Sequence, residues 1–218
     1  MMRVLVCDDH ALFREGLRLL LEGLDASMEV TLTSNARDGI GLSKAGSFDL
    51  VLLDWHMDGL AGVQALAAFR DAAPFSLLVV LSGEKSATLI RSVVDLGAVG
   101  FISKDSSPEV LMMALRTIAS GGVYLPASAL MGVHATSPTA ERITGPIDVG
   151  AAFPTLTGRQ ADVLRATLRG LPNKLIAREL GITDGTVKSH LSAIFRELDV
   201  QSRTEAVYVA AKQGVRIS

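Results

Sequence analysis

The sequence predicts an α/β protein: a five-stranded, doubly wound parallel sheet followed by a second, all-α domain of four helices with a helix-turn-helix at its centre. Three observations carry that expectation. Short apolar runs alternate with helical patterns five times between Arg3 and Ile118. The pattern stops at Gly121-Gly122, where a stretch rich in Pro, Ala, Ser, Thr and Gly begins. From Thr157 onward, four helical segments follow with no strand between them. Parallel neighbours in a sheet need crossover helices, and right-handed crossovers place those helices on both faces.

Arg3–Cys7 is a short apolar run that ends in Asp8-Asp9, and Phe13, Leu17, Leu20, Leu21 and Leu24 recur behind it at helical spacing, so a strand feeds a helix from about His10 to Leu24. Glu29–Thr33 leads in the same way into a helix beginning at Ala36. Leu50–Asp54 leads into one through Val63–Ala72, and Leu77–Ser82 into one through Ser86–Leu96. The run Leu50–Leu53, bounded by Gly46-Ser47 and Asp58-Gly59, is continuously apolar, as a strand buried on both faces must be. Val99–Ser103 precedes Ser107-Pro108-Glu109, where a hydroxyl N-cap and a proline at the first helical position start the fifth helix. Residues 1–122 are therefore expected to form one domain. Residues 123–153, with Pro126, Pro138 and Pro146, read as a linker in which Ala127–Val133 adds at most a turn of helix.

Residues 154–218 open on Thr157-Gly-Arg-Gln160, a capping box. The helix it starts runs to Leu168 and is broken by Gly170-Leu171-Pro172-Asn173. Lys174–Leu180 forms the next, and Gly181-Ile182-Thr183 turns into a third over Asp184–Leu198. Ser202 caps a fourth, which ends at Gln213-Gly214. In the third, Val187, Leu191, Ile194, Phe195 and Leu198 make an apolar stripe and leave Lys188, Ser189, Ser192 and Arg196 on another face. Small side chains with Lys and Arg among them suit the DNA major groove.

Composition sets limits on both domains. With 49% apolar residues the chain can build packed cores, and no apolar run approaches the 18 or so residues of a membrane span, so a soluble protein with no secretory signal is expected. The single cysteine, Cys7, cannot form an intrachain disulfide and suits a reducing cytoplasm. Residues 1–122 carry 10 Lys+Arg against 15 Asp+Glu, whereas residues 151–218 carry 10 against 6. That asymmetry points the second domain, not the first, at a polyanion.

Ligands of open parallel sheets bind beyond the carboxyl ends of the strands. The residues there are Asp8 and Asp9, Asp54, Ser82, and Lys104 just past the fifth strand. Three carboxylates at one edge repel one another unless a cation joins them, and a hard Mg²⁺ ion takes a few carboxylates, a carbonyl and retained waters. This set, with Phe101 three residues before Lys104, resembles a two-component receiver domain of flavodoxin-like fold over residues 2–122. The resemblance implies that Asp54 accepts a phosphoryl group. It further implies that Asp8, Asp9, Asp54 and the backbone carbonyl of His56 hold Mg²⁺, and that Ser82 and Lys104 contact the phosphoryl oxygens. Ser82 and Phe101 become a switch in which Ser82 moves inward and Phe101 enters the vacated space. The side chains of His56 and Glu84 would tune dephosphorylation. Asp58 departs from the pattern, which commonly has proline after Met57, and a more mobile loop is expected there.

Leu156-Thr157-x-Arg159, Asn173-Lys174-x-Ile176-Ala177, Thr186-Val187-Lys188-x-His190 and Arg203-Thr204-Glu205-Ala206 resemble the LuxR-type helix-turn-helix. By matching position, Lys188 and His190 contact DNA, Lys174 meets a phosphate, and Val187 is either a base contact or core. Thr186, Ser192 and Arg196 complete the DNA-binding set. Gln160, Pro172, Leu175 and Glu197 depart from the usual residues, and Glu197 lessens positive charge near the groove.

Together the halves are similar to a response regulator of the NarL/FixJ type. That implies a sensor histidine kinase as phosphoryl donor, double-stranded DNA as target, a homodimer when active, Mg²⁺ as cofactor, cytoplasmic localisation and no membrane association. It also implies no enzyme activity beyond the chain's own aspartyl phosphorylation and dephosphorylation. A phosphohydrolase of the haloacid dehalogenase type fits less well, because such enzymes carry Asp-x-Asp after a strand and here Asp8 and Asp9 are adjacent. A protein-interaction module over residues 154–214 is the other alternative, separable by salt-sensitive binding to duplex DNA.

Overall fold

The computed structural model describes residues 1–126 and 148–215. Its first unit alternates β1 (Arg3–Cys7), α1 (Ala11–Leu24), β2 (Glu29–Thr33), α2 (Ala36–Ala45), β3 (Leu50–Asp54), α3 (Gly62–Ala72), β4 (Leu77–Ser82), α4 (Ala87–Asp95), β5 (Gly100–Ser103) and α5 (Pro108–Ala119). All neighbours are parallel and the strand order is β2-β1-β3-β4-β5. That order was not legible in the sequence; the alternation that requires it was.

Period-two alternation along each strand divides the core between two faces. Leu5, Val51, Leu53, Leu78, Val80 and Phe101 face one way and pack with Leu66 and Phe69 of α3 and Ile90 and Val93 of α4. Val4, Val6, Leu50, Leu52, Val79 and Ile102 face the other and pack with Leu17 and Leu21 of α1 and Leu115 and Ile118 of α5. Every residue of β3 and β4 is buried, as expected for central strands covered on both sides. Ser107 caps α5, with Pro108 in its first turn.

The second unit is helical: α6 (Val149–Ala152), α7 (Gly158–Leu168), α8 (Asn173–Leu180), α9 (Asp184–Glu197) and α10 (Arg203–Lys212). Thr157 and Gln160 form the full capping box at α7, and Gln160 accepts the Thr157 N–H at 2.8 Å. The turn between α8 and α9 uses Gly181 at φ 65°, a left-handed position that a side chain would strain. Val187, Leu191, Ile194 and Phe195 join Leu164, Ile176, Ala206 and Ala210 in this unit's core. The four-residue α6 lies within the stretch read as linker, and its Val149 is buried in that same core. The anticipated turn at Ala127–Val133 and the prolines at 138 and 146 fall outside the described residues.

Candidate functional site

Strand register brings the acids together. Cys7 pairs with Leu53, so Asp8 comes level with Asp54; Asp54 pairs with Leu81, and Ser82 with Ser103, so Lys104 leaves the sheet at the same edge. Asp8 and Asp54 are buried and Asp9 is half-buried. Lys104 Nζ reaches between the strands to 2.8 Å from Asp8 Oδ2 and 2.7 Å from Asp54 Oδ2. The Phe13 ring flanks the same ammonium, 5.1 Å from it. The His56 N–H donates to Asp54 Oδ1 at 3.2 Å.

Burial pushes the Asp54 carboxyl above the usual carboxylate range. The Lys104 contact opposes that shift, Asp8 adds to it, and the His56 N–H pulls it back. Asp8 Oδ2, Asp9 Oδ1 and Asp54 Oδ2 are buried without a directed hydrogen bond, although Lys104 stands at ion-pair distance from two of them. Fully ionised, three carboxylates outnumber Lys104 by two charges, the deficit that one divalent cation fills. The donor set therefore fits a hard cation bound through oxygen.

Three neighbours bear on this pocket. The Ser82 hydroxyl is buried at its rim and accepts the Glu84 N–H at 3.0 Å, while the Glu84 side chain is exposed and accepts the Ser86 hydroxyl. Phe101 is fully buried in the core on the same face of the sheet as Val51, Leu53 and Val80. At Asp58, where a more mobile loop was expected, the N–H donates to Asp9 Oδ2 at 3.2 Å. A proline there has no N–H to give.

His10 was absorbed into the count of helical positions and missed as a site residue. Its Nδ1 lies 2.7 Å from Asp9 Oδ1, 3.4 Å from Asp8 Oδ1 and 3.8 Å from Asp54 Oδ2. The signal was its place directly after two acids at a strand end.

At the other end of the sheet the helical unit packs against the amino-terminal edge of the strands. Lys174 Nζ lies 2.7 Å from Asp49 Oδ2 and also donates to the Met1 carbonyl. Phe75, in the turn before β4, stacks on Phe195 of α9 with ring centroids 5.7 Å apart. The Asn173 amide donates to the Phe75 carbonyl at 3.4 Å, the Arg203 N–H to the Pro74 carbonyl at 3.4 Å, and Arg70 pairs with Glu205 at 3.6 Å. Gly170 (φ 83°) and Gly121 bring the two backbones into contact.

This packing sorts the residues expected to contact DNA. Lys174 is engaged by the first unit, and Lys188, paired with Asp184 at 2.8 Å, lines a cavity with Ser43–Phe48 and Ala72–Ser76. Val187 is fully buried, so of its two readings the core one holds and the base contact is corrected. Thr186 is half-buried, its hydroxyl shared with Thr183 at 2.7 Å. His190 is half-buried, while Ser192 and Arg196 are exposed.

A sheet in this order with carboxylates opposite a lysine at its carboxyl edge, joined to a helix-turn-helix, defines a class: a receiver domain coupled to a DNA-binding unit. The family described as "Response regulator receiver domain" matches residues 4–116, and that described as "Bacterial regulatory proteins, luxR family" matches residues 154–210. The chain is 36% identical over 203 residues to the nitrate/nitrite response regulator protein NarL of Escherichia coli K12, covering 93% of this chain and 92% of that one. It is 35% identical to NarP of the same organism over 214 residues, covering 97% and 95%. A LuxR family DNA-binding response regulator from Silicibacter pomeroyi superposes with a TM-score of 0.53 at 34% identity, covering 59% of this chain and 99% of that one. RcsB from Salmonella enterica serovar Typhimurium, solved bound to a promoter, shares the fold with a TM-score of 0.55 at 20% identity, covering 95% and 97%. The chain belongs to the two-component response regulators that join a receiver to a LuxR-type DNA-binding domain. No helix among the described residues is long and apolar enough to cross a membrane.

Proposed function

We propose that this protein is a transcriptional regulator controlled by phosphorylation of Asp54. The observation that carries the reading is the convergence of Asp8, Asp9, Asp54 and Lys104 at one strand edge. A sensor histidine kinase presents an N-phosphorylated imidazole. An Asp54 carboxylate oxygen attacks the phosphorus, the P–N bond breaks as the O–P bond forms, and the leaving nitrogen is protonated. Lys104 offsets charge on the transferring oxygens, and the Ser82 hydroxyl, which accepts the Glu84 N–H, keeps its own O–H to donate to the product. Asp8, Asp9, Asp54 and the His56 carbonyl would hold a Mg²⁺ ion, which would supply further charge neutralisation during transfer. Return to the ground state is attack of water on the acyl phosphate, releasing inorganic phosphate, at a rate tuned by the exposed His56 and Glu84 side chains.

Residues 1–122 are the phosphoacceptor unit and 154–218 the DNA-binding unit, joined through 123–153. In the closed arrangement Lys174 is tied to Asp49 and Lys188 is turned to the first unit, so two of the cations suited to a DNA backbone are withheld. Phosphorylation frees them and allows two copies to pair on a two-fold site, in the reducing cytoplasm. Asp54→Asn should abolish uptake of acid-labile phosphate from a small phosphodonor with Mg²⁺. Persistent uptake at the wild-type level removes Asp54 from its role.

A further inference from the structure

We infer that Phe13 is a positioning residue for phosphoryl transfer: its ring holds the Lys104 ammonium at the acidic pocket through a cation–π contact that persists while both carboxylate partners of that ammonium change. This rests on the reading of Asp54 as the phosphoacceptor, and it gives a part in the reaction to a residue that otherwise belongs to the apolar stripe of α1.

Lys104 leaves β5 with its backbone fixed, because its N–H donates to the Ser82 carbonyl at 2.9 Å, but a four-carbon stem keeps its rotamer freedom unless the head is held. Three groups hold it: Asp8 Oδ2 at 2.8 Å, Asp54 Oδ2 at 2.7 Å, and the Phe13 ring, whose centroid lies 5.1 Å from Nζ. An ammonium over a ring face and within about 6 Å of the centroid is attracted by the ring quadrupole, more strongly where water is excluded. Water is largely excluded here: the Lys104 side chain is 16% exposed, and Phe13 is half-buried against the core beneath α1 and α5. The first turn of α1 is tied to the same strand end. The His10 N–H donates to Asp8 Oδ1 at 2.8 Å, and the Arg14 guanidinium donates to the Asp8 carbonyl. Phe13 lies between these two anchors in the chain, so the ring and the ammonium are both located by Asp8.

The two acids cannot hold the lysine unchanged through the reaction. Asp54 gives up its carboxylate charge when the ester forms, so Lys104 has to turn to the phosphoryl oxygens, and Asp8 shares its charge with the hard cation that the pocket fits. The ring does neither. Its attraction comes from a quadrupole that is the same before and after transfer. A leucine would fill comparable space, as Leu17, Leu20, Leu21 and Leu24 do along the rest of the stripe, yet the aromatic residue stands where the stripe meets the ammonium.

The test uses the full-length protein with phenylalanine at position 13 replaced by its mono-, di- and trifluorinated forms, which keep the shape of the ring and drain negative potential from its face. Uptake of acid-labile phosphate from phosphoramidate with Mg²⁺ should slow with each added fluorine, reaching about three- to tenfold below wild type, and Phe13→Leu should fall by about as much. Proton NMR should find the Lys104 ε-methylene shifted upfield by the ring current in the wild type, both alone and with beryllofluoride, and unshifted in Phe13→Leu. Rates equal to wild type across the fluorinated series overturn the inference even if Phe13→Leu is slow, because the ring then only fills space. An ε-methylene shift that disappears with beryllofluoride overturns it as well, because the contact then ends when the phosphoryl group arrives. Both results leave Asp54 as the phosphoacceptor, whereas no uptake by the wild type overturns that reading and this one together.

Discussion

If the Asp49–Lys174 contact helps hold the two units closed, weakening it should raise DNA affinity in the unphosphorylated protein. Asp49→Asn is the informative change. It keeps an oxygen for the Arg3 N–H, which Asp49 accepts at 2.7 Å, removes the charge facing Lys174, and leaves Lys174 itself available to DNA. A hydrogen bond to a charged group contributes about 1.5–3 kcal/mol. Lys174 is one-third exposed, so solvent screening brings the contribution down to about 1–2 kcal/mol. That range changes a two-state ratio about 5- to 30-fold. A closed-dominated protein should therefore bind a duplex carrying its site up to that much more tightly, measured by fluorescence anisotropy at fixed salt. Glu15→Gln, an equal change in net charge on the exposed face of α1, controls for general electrostatics. The gain should vanish when both proteins carry a phosphoryl mimic. Equal affinities for wild type and Asp49→Asn, or a gain that persists at full size with the mimic, would refute the closed-state role.

A Cβ at position 170 would overlap the Gly121 carbonyl oxygen, and φ there is 83°, so Gly170→Ala should separate the units; a larger radius of gyration in small-angle scattering checks it, and unchanged scattering would count against this packing in solution. Lys188→Ala should weaken DNA binding similarly across sequences and reduce the slope of log affinity against log salt by about one. Because the folded state raises the Asp54 pKa, it binds more protons than the unfolded chain between the ordinary carboxylate range and the raised value, so stability due to Asp54 is present at low pH and lost as pH rises through that window. Asp54→Asn should therefore be more resistant to urea than wild type at pH 7, with the difference shrinking toward pH 4; no difference at pH 7 would contradict the burial of an ionised carboxyl. Leu191→Ala, which empties a fully buried site beneath the recognition face, should destabilise the helical unit by about 2–5 kcal/mol, read by urea titration.

The sheet was legible because each β-α unit repeats one physical requirement, a run buried on two faces followed by a one-sided helix. Asp8, Asp9, Asp54, Ser82 and Lys104 were legible because each sits at or just past the carboxyl end of a strand, the edge where ligands of parallel sheets bind. What the sequence concealed was carried by backbone atoms and single side chains. The interdomain contact uses the carbonyls of Pro74 and Phe75 and the bare backbones of Gly121 and Gly170, none of which leaves a pattern. Asp58 was read for the proline it replaces, whereas the N–H that a proline would lack donates to Asp9. Arg203 read as one letter of the LuxR-type motif, yet its guanidinium is buried and donates to the Thr167 and Leu171 carbonyls at and just beyond the end of α7. Burial lowers its pKa to about 10, which leaves it charged at neutral pH.

The acidic pocket and the interdomain contact lie at opposite ends of the same strand: Asp54 ends β3 and Asp49 precedes it, roughly 17 Å away at 3.3 Å per residue. Asp49 and Lys174 contribute about 1–2 kcal/mol by the reasoning above, and a stacked aromatic pair such as Phe75 and Phe195 adds about 0.5–1.5 kcal/mol beyond its buried area. Reversing a population from 1:99 to 99:1 takes about 5.5 kcal/mol. Those two contacts alone fall below that figure, and the hydrogen bonds to the Pro74 and Phe75 carbonyls and the Arg70–Glu205 pair add to them. The buried strands β3 and β4 connect the two ends, and the turn carrying Pro74 and Phe75 leads directly into β4, whose last residue is Ser82. A small shift of Ser82 along its own strand therefore has a direct mechanical route to the stack on Phe195.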